Sequence, residues 1–274
     1  MTVISTNITA NTALLNLNKN SAAQSQDIAM LSSGSRITSA ASDASGLAIA
    51  TGMASDASVL QQAQTNLSNG TAVLNTADGA LSNLSDILTR MKTLTAQAQS
   101  GSSGTTDLSY IDAEYEQLKS EVDTTATNTT FNGTALLDGT SAYSTGVNFM
   151  VGTNSADTIT VTLAGATSAD LGIGLVPITS AANAASEMSA LDGAITQIST
   201  ARANVGATLS RMSFRSTEIN TSIQNLDSAK SAITDTDIAA TQAKFSSDQT
   251  LTTAAISALS DANQMNQQIL KLLQ

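Results

Sequence analysis

The side chains in this 274-residue chain best suited to chemistry are carboxylates, and two pairs lie close in sequence: Glu114 with Glu116, and Asp235 with Asp237. Two carboxylates held in different environments are common equipment for general acid and base catalysis. At a spacing of i, i+2 on a helix, though, the two side chains do not face each other. No nucleophile with a base, no cluster of metal ligands and no glycine-rich phosphate loop accompanies either pair. His 0 and Cys 0 exclude thiol nucleophiles, Ser-His-Asp triads, disulfide frameworks and most zinc or copper sites together. The pattern predicts no catalytic residue, no metal ligand and no cofactor. Acidic residues favour helix N-termini, so Asp235 and Asp237 read as caps of a helix starting near Ile238.

The charge balance narrows the partners. Eleven Lys+Arg against 22 Asp+Glu give a net charge of −11, and only 12% of positions are charged, about half the usual quarter. Without a basic run, neither nucleic acid nor an anionic membrane surface is a fitting partner, because both need Lys and Arg against phosphate. No stretch of eighteen apolar residues occurs, and Met1 to Thr12 lacks a basic region followed by an apolar one. Neither a membrane span nor a cleavable signal peptide is expected.

The elements that must position any functional surface follow from composition and period. Aromatic residues are 3% of the chain, with Trp 0, so bulky core material is scarce and long thin helices packed on neighbours are favoured over a globule. The one proline, Pro177, leaves long stretches on both sides free to be helical. From Met53 a seven-residue step runs through Leu60, Leu67, Leu74, Leu81 and Leu88, flanked by Val59, Val73, Ala80, Ile87 and Leu94, which is a heptad seam. A second runs through Leu191, Ile198, Val205, Met212, Ile219, Leu226 and Ile233. Its partner column, Met188, Ile195, Leu209 and Ile223, is interrupted by Arg202, Ser216 and Lys230. At about 1.5 Å per residue each segment is a rod of roughly 65 to 85 Å.

Leu108, Ile111, Tyr115, Leu118 and Val122 follow i, i+3, i+4 spacing and predict a third, shorter helix after the break at Gly101 to Gly104. The period then becomes two: Val147, Phe149 and Val151 alternate, Asn154 to Asp157 supplies turn chemistry, and Ile159, Val161 and Leu163 alternate again. This predicts a small β-hairpin region over about 131–176. The outermost segments are weaker. Ile4, Ile8, Leu15 and Ala22 at one end, and Ile238, Phe245, Ile256, Leu259, Leu270 and Leu273 at the other, lie on a 3.5-residue stride interrupted by Asn, Gln and Thr. Their helix propensity is middling, so most of their stability is expected from packing on other chains, with disorder in the monomer and helix in an assembly.

Several stretches carry a family resemblance. Leu31 to Ala50, LSSGSRITSAASDASGLAIA, resembles the N-terminal signature of bacterial flagellins. Asp78-Gly-Ala-Leu81 with Leu88 to Leu94 is similar to the segment that ends their long N-terminal rod. Phe131-Asn-Gly133 with Leu137-x-Gly139 resembles the turn into their hairpins, and Asn148 to Gly152 the strand that follows. Asp261-Ala-Asn-Gln264 with Ile269 to Leu273 is similar to their C-terminal signature. The likeness covers nearly the whole chain outside about 139–180.

The resemblance implies a filament subunit for swimming motility, exported unfolded by the flagellar type III apparatus, located in the extracellular flagellum and without enzyme activity. It implies a mainly α fold: a long antiparallel coiled-coil rod, a small β-hairpin region in mid-chain, and terminal helices that form an inner tube on assembly. The segments would be 1–42 and 235–274 for the inner tube, 43–130 and 181–234 for the rod, and 131–180 for the hairpins. Ile4, Ile8, Leu15, Ile256, Leu259, Leu270 and Leu273 would pack between subunits, and the two heptad columns would form the rod seam. Arg36 with Asp43 would be a spoke fixing the tilt between tube and rod, or else an ordinary solvated loop pair. Arg90, Leu94 and Glu114 match positions on the face recognised by the animal flagellin receptor. Thr89 and Thr93 depart from the Gln and Glu usual there, so recognition should be weak; a subunit contact is the alternative role for Arg90. Implied partners are other copies of the chain, an export chaperone, the cap and the hook-associated junction proteins. The competing readings are a hook to filament junction protein and a secreted coiled-coil adhesin.

Overall fold

The computed structural model describes residues 6–100 and 104–272, with side chains described as far as residue 268. Within them it is mainly helical: seven helices and two small antiparallel strand pairs. The helices are α1 (Ile8–Ser33), α2 (Ala44–Gln99), α3 (Thr105–Asn128), the single turns α4 (Ala142–Thr145) and α5 (Ser168–Leu171), α6 (Ala181–Thr234) and α7 (Ile238–Leu272). Strands β1 (Thr130–Phe131) and β2 (Thr134–Ala135) form one pair, and β3 (Val147–Met150) and β4 (Thr158–Val161) the other. No helix among the described residues is long and apolar enough to cross a membrane.

The starts of these helices are set by short polar side chains taking up orphan N–H groups. Asn7 Oδ1 accepts from Ala10 N at 3.0 Å, Asp43 Oδ1 from Gly46 N at 2.8 Å, and Asp237 Oδ1 from Ala240 N at 3.0 Å. Gly34, in the left-handed region at φ 69°, ends α1. Two compact units result. Unit 1 comprises residues 1–56 and 224–274, and unit 2 residues 57–223.

Unit 2 holds nearly all of the buried apolar side chains. Leu60, Leu67, Leu74, Leu81 and Leu88 of α2 are buried, as are Leu191, Ile198, Val205, Met212 and Ile219 of α6. The two helices run antiparallel, tied by Gln64 Nε2 to Ser216 Oγ at 2.6 Å, Arg202 Nε to Asp78 Oδ1 at 3.0 Å, and Lys92 Nζ to Asp192 Oδ1 at 2.5 Å. Two of the polar interruptions of the second heptad therefore face α2. Its column 188/195/209 is only half-buried, while Glu187 and Ala194 are buried, because α3 packs on that side.

Tyr115 of α3 donates to Glu187 Oε1 at 2.5 Å, and Gly174 N donates to the same oxygen. The β3–β4 pair aligns Val147 with Val161 and Phe149 with Ile159. It is fastened to the rod helices by Asn66 Nδ2 donating to Met150 O and Arg215 Nε to Val151 O, both at 3.1 Å. Gly70 permits this approach: a Cβ there would stand 2.8 Å from Met212 Cε and 3.3 Å from Phe149 Cδ1. Asn132 (φ 48°) and Gly133 (φ 77°) make the tight β1–β2 turn, where both central residues must adopt positive φ.

In unit 1, α1 and α7 lie antiparallel against each other within one chain. Each terminal segment thus has one packing partner within its own chain, and its remaining faces are uncovered. Ile4 and Leu273 lie outside the described residues, as does the side chain of Leu270.

Two outcomes test the unit 2 core. Leu88→Ala, at a fully buried position of α2, should destabilise the rod by about 2–5 kcal/mol through lost transfer energy and a residual cavity, read by urea unfolding. Burial, reinforced by the hydrogen bond and charge of Glu187, holds the Tyr115 hydroxyl well above the ordinary phenol range. A raised folded value means that this stabilisation is complete below the unfolded value of about 10 and is lost as pH climbs beyond it. Stability should therefore fall above about pH 10. Tyr115→Phe should flatten part of that fall, leaving the share of Tyr143, whose hydroxyl burial also raises. At neutral pH the same substitution should cost about 1–3 kcal/mol, because a buried carboxylate loses a donor.

Candidate assembly surface

Unit 1 is built from one helix pair and a clasp. Asn7 Nδ2 donates to Ala262 O at 3.0 Å near one end of the α1/α7 pair. Farther along, Asp27 and Lys244 pair at 3.7 Å. Beyond α1, the segment 34–36 is stitched to 233–236: Arg36 N donates to Thr234 O at 2.7 Å, Thr236 N to Gly34 O at 3.0 Å, and Ser35 Oγ to Thr234 O at 3.1 Å.

The Arg36 guanidinium joins this clasp. Its Nε and Nη2 both donate to Ile233 O, at 3.2 and 2.8 Å, while its approach to Asp43 is 4.0 Å between half-exposed side chains. Asp43 caps α2, and Gly46 leaves room for it: a Cβ there would collide with that carboxylate and stand 2.9 Å from Ile37 Cδ1. The two proposed spoke residues are thus near each other, but each is engaged chiefly with backbone.

What unit 1 lacks is a core. Among the described residues its only buried apolar side chains are Ile37 and Ala50. Ile8, Leu14, Leu15, Ile28, Ile238, Leu251, Ile256 and Met265 are exposed, Leu15 to 68%, and Leu259 is half-buried. A monomer seldom leaves so much apolar surface contiguous with its helices unless a partner covers it. Asp27, which sequence periodicity could not single out, is 1% exposed in the α1/α7 seam with no hydrogen bond to either oxygen.

The remaining candidates fall elsewhere. Arg90 Nε and Nη2 donate to Glu114 Oε1 at 2.9 and 2.6 Å, joining α2 to α3. Leu94 is 2% exposed. It is buried, in keeping with its place in the flank of the first heptad seam, and so does not itself stand on an exposed face. Of the second heptad, Leu226 lies in unit 1 and is half-buried. The carboxylate pairs do not converge. Glu114 engages Arg90 whereas Glu116 pairs with Lys119 at 3.3 Å. Asp235 accepts from Ser231 and Thr234, bonds that hold its carboxyl below the usual range, whereas Asp237 caps α7. No group of three potential metal ligands occurs among the described residues.

Fold and surface together define a mainly helical protein whose terminal helix pair leaves apolar side chains exposed. Known proteins place it further. The profile of the bacterial flagellin N-terminal helical region matches residues 4–142, and that of the bacterial flagellin C-terminal helical region matches residues 188–273. The chain belongs to the bacterial flagellin family. It is 32% identical to the flagellar filament 33 kDa core protein of Treponema phagedenis over 99% of both chains. It is 33% identical to the flagellin of Bacillus subtilis, over 98% of this chain and 99% of that one. Among solved structures it is similar to Bacillus cereus flagellin, with TM-score 0.50 and 35% identity over 57% of this chain and 88% of that one. A hook-associated flagellar protein of Vibrio parahaemolyticus shares the fold, with TM-score 0.59 and 15% identity over 71% of this chain and all of that one.

Arg36→Ala should remove both side-chain bonds of the clasp and leave the backbone ones. The expected result is a loss of about 1 kcal/mol confined to unit 1, seen as faster proteolysis near residues 34–43 and 233–237 with unit 2 unaffected. Unchanged cleavage would make the arginine an ordinary surface residue.

Proposed function

We propose that this chain is the repeating structural subunit of a bacterial flagellar filament, exported unfolded by the flagellar type III apparatus and used for swimming. The observation that carries the reading is the contrast between a unit 2 with a closed core and a unit 1 whose helix pair exposes Ile8, Leu15 and Ile256. Apolar faces that cannot be covered within the chain are covered by other copies. A contact between two different surfaces that does not close into a ring propagates as a helical polymer.

In this reading residues 1–42 and 235–274 form an inner tube, 43–130 and 181–234 a rod packed outside it, and 131–180 a thin outer layer of hairpins. Subunit packing falls to Ile4, Ile8, Leu15, Ile256, Leu259, Leu270 and Leu273, and Arg36 with Asp43 set the angle between tube and rod. An export chaperone would take the C-terminal segment, and the cap and hook-associated junction proteins would meet the same terminal helices at the filament ends. The role is structural, with no catalysis.

A junction protein would share these terminal faces, and copy number per cell separates that reading. A secreted adhesin would need a larger exposed domain than 131–180 offers. Recognition by the animal flagellin receptor should be poor. Arg90 and Glu114 are spent on each other, and Thr89 and Thr93 replace longer polar side chains.

The deciding experiment seeds purified chain with sheared filament ends and follows growth by electron microscopy. Wild-type chain should elongate into long filaments. Removal of Leu270 to Gln274, or Leu15→Ser with Ile256→Ser, should abolish elongation while circular dichroism of the rod is retained. Filaments of normal length from either variant would contradict the terminal packing. In receptor reporter cells the monomer should reach well below the potency of a strongly recognised flagellin, and full potency would overturn that part.

A further inference from the structure

One surface of unit 2 is left unexplained by its own packing. Between the β3–β4 hairpin and α6 lies a recess of about 430 Å³ with Val151 and Ile159 on the hairpin side and Arg211, Phe214, Arg215 and Glu218 on the helix. Arg215 is consumed inside the chain. It donates to Val151 O at 3.1 Å and to Glu218 Oε2 at 2.8 Å, and stands 3.8 Å from Asp157. Arg211 is different. Unit 2 has six cations among its described residues, and Arg90, Lys92, Lys119, Arg202 and Arg215 all make ion pairs. Arg211 is exposed and has neither an ion pair nor a hydrogen bond.

Beside it stands Phe214, 78% exposed. The chain has only four phenylalanines, and one of them is spent on solvent next to a free guanidinium. Aromatic and arginine side chains at the edge of a pocket are the usual anchors of protein interfaces.

Charge indicates the occupant. Two described carboxylates of unit 2 lack any hydrogen bond or ion pair, Asp86 on α2 and Glu121 on α3, and both are exposed. Each copy thus carries one spare cation beside an apolar anchor and spare anions on other helices. In a chain of net charge −11, matching one to the other also relieves repulsion between neighbours.

We propose that the Arg211–Phe214 recess docks unit 2 of a second copy of this chain, with Arg211 paired to Asp86 or Glu121 of that copy. The two surfaces differ, so the contact is heterologous and adds copies in one direction. The inference rests on the filament reading and adds to it a contact outside the terminal helices.

Arg211→Glu and Phe214→Ser should each slow elongation on wild-type seeds about tenfold or more, with circular dichroism and thermal unfolding unchanged because neither side chain packs within the free chain. Since Cys is 0, cysteine pairs give a clean second readout. Arg211→Cys combined with Asp86→Cys or with Glu121→Cys should yield a covalent ladder on non-reducing gels after mild oxidation of filaments, and the productive combination identifies the carboxylate. Wild-type growth with both single variants elongating normally would leave the recess to another ligand and overturn the docking alone. A ladder from neither cysteine pair would overturn the carboxylate assignment. Failure of the wild-type chain itself to elongate would overturn the filament reading and the docking together.

Discussion

The constraint behind every feature of this molecule is that a helix can bury only the stripe that another element covers. With few aromatics and much Ala, Ser and Thr, the chain cannot close a thick core, so its apolar surface is hidden one helical stripe at a time. Unit 2 meets the constraint by giving α2 several partners at once: α6, α3 and the β3–β4 pair. Residues on three sides of α2 are consequently buried, among them Leu74, Ala77 and Leu94. Unit 1 offers α1 and α7 only each other, and a two-helix pair leaves most of both surfaces outward. Assembly and folding are then the same problem for the terminal helices, because the missing burial can come only from outside the chain.

A surface so poor in charge needs another way to remain helical and hydrated. The chain uses hydroxyls turned back on their own helices. Thr51, Thr65, Thr76 and Thr89 of α2 donate to the carbonyl four residues earlier, as do Thr196, Thr200 and Thr208 of α6 and Thr250, Thr252 and Thr253 of α7. Such bonds satisfy the side chain without a partner elsewhere. The resulting faces are polar but neutral, and neutral faces can approach closely in many copies without the desolvation cost of buried charge.

The heptad columns and the alternating strands were legible because large apolar residues repeat at the period of their element. Leu60 to Leu88, Leu191 to Ile219 and Val147 to Val161 needed only counting. A second buried column of α2, Ala63, Gly70, Ala77, Leu84, Met91 and Ala98, was not seen, because small residues carry too little hydropathy to mark a face. The same blindness put the partner column of α6 one residue off: Glu187 is buried where Met188 was expected, since a tyrosine hydroxyl and a backbone N–H receive its carboxylate. Leu94 is buried with the flank of the heptad seam to which its spacing assigns it, and only the likeness to a recognised face points it outward. Of the assembly surface, the stride of Ile8, Leu15 and Ile256 was readable, but the clasp was not. Its bonds are mostly backbone, and no side-chain pattern announces a carbonyl.

Asp27 shows what such a thin core can use a charge for. A buried carboxylate with only an exposed lysine opposite it gains little net stability, since desolvation offsets most of the Coulomb attraction. Its value lies in position. The α1/α7 pair has a weak apolar pattern, and weak patterns permit neighbouring registers of similar energy. Lys244 meets Asp27 in one of them. A shift of α7 by a single turn would carry the ammonium about 5.4 Å away and leave the buried carboxylate without its counter-charge. The Asn7 bond to Ala262 and the Arg36 clasp to Ile233 fix the same alignment from the two ends. Three polar contacts spread along the pair thus select one register, and with it one arrangement of the outward apolar side chains. A polymer needs that uniformity more than it needs stability in each free copy, because every copy must present the same face.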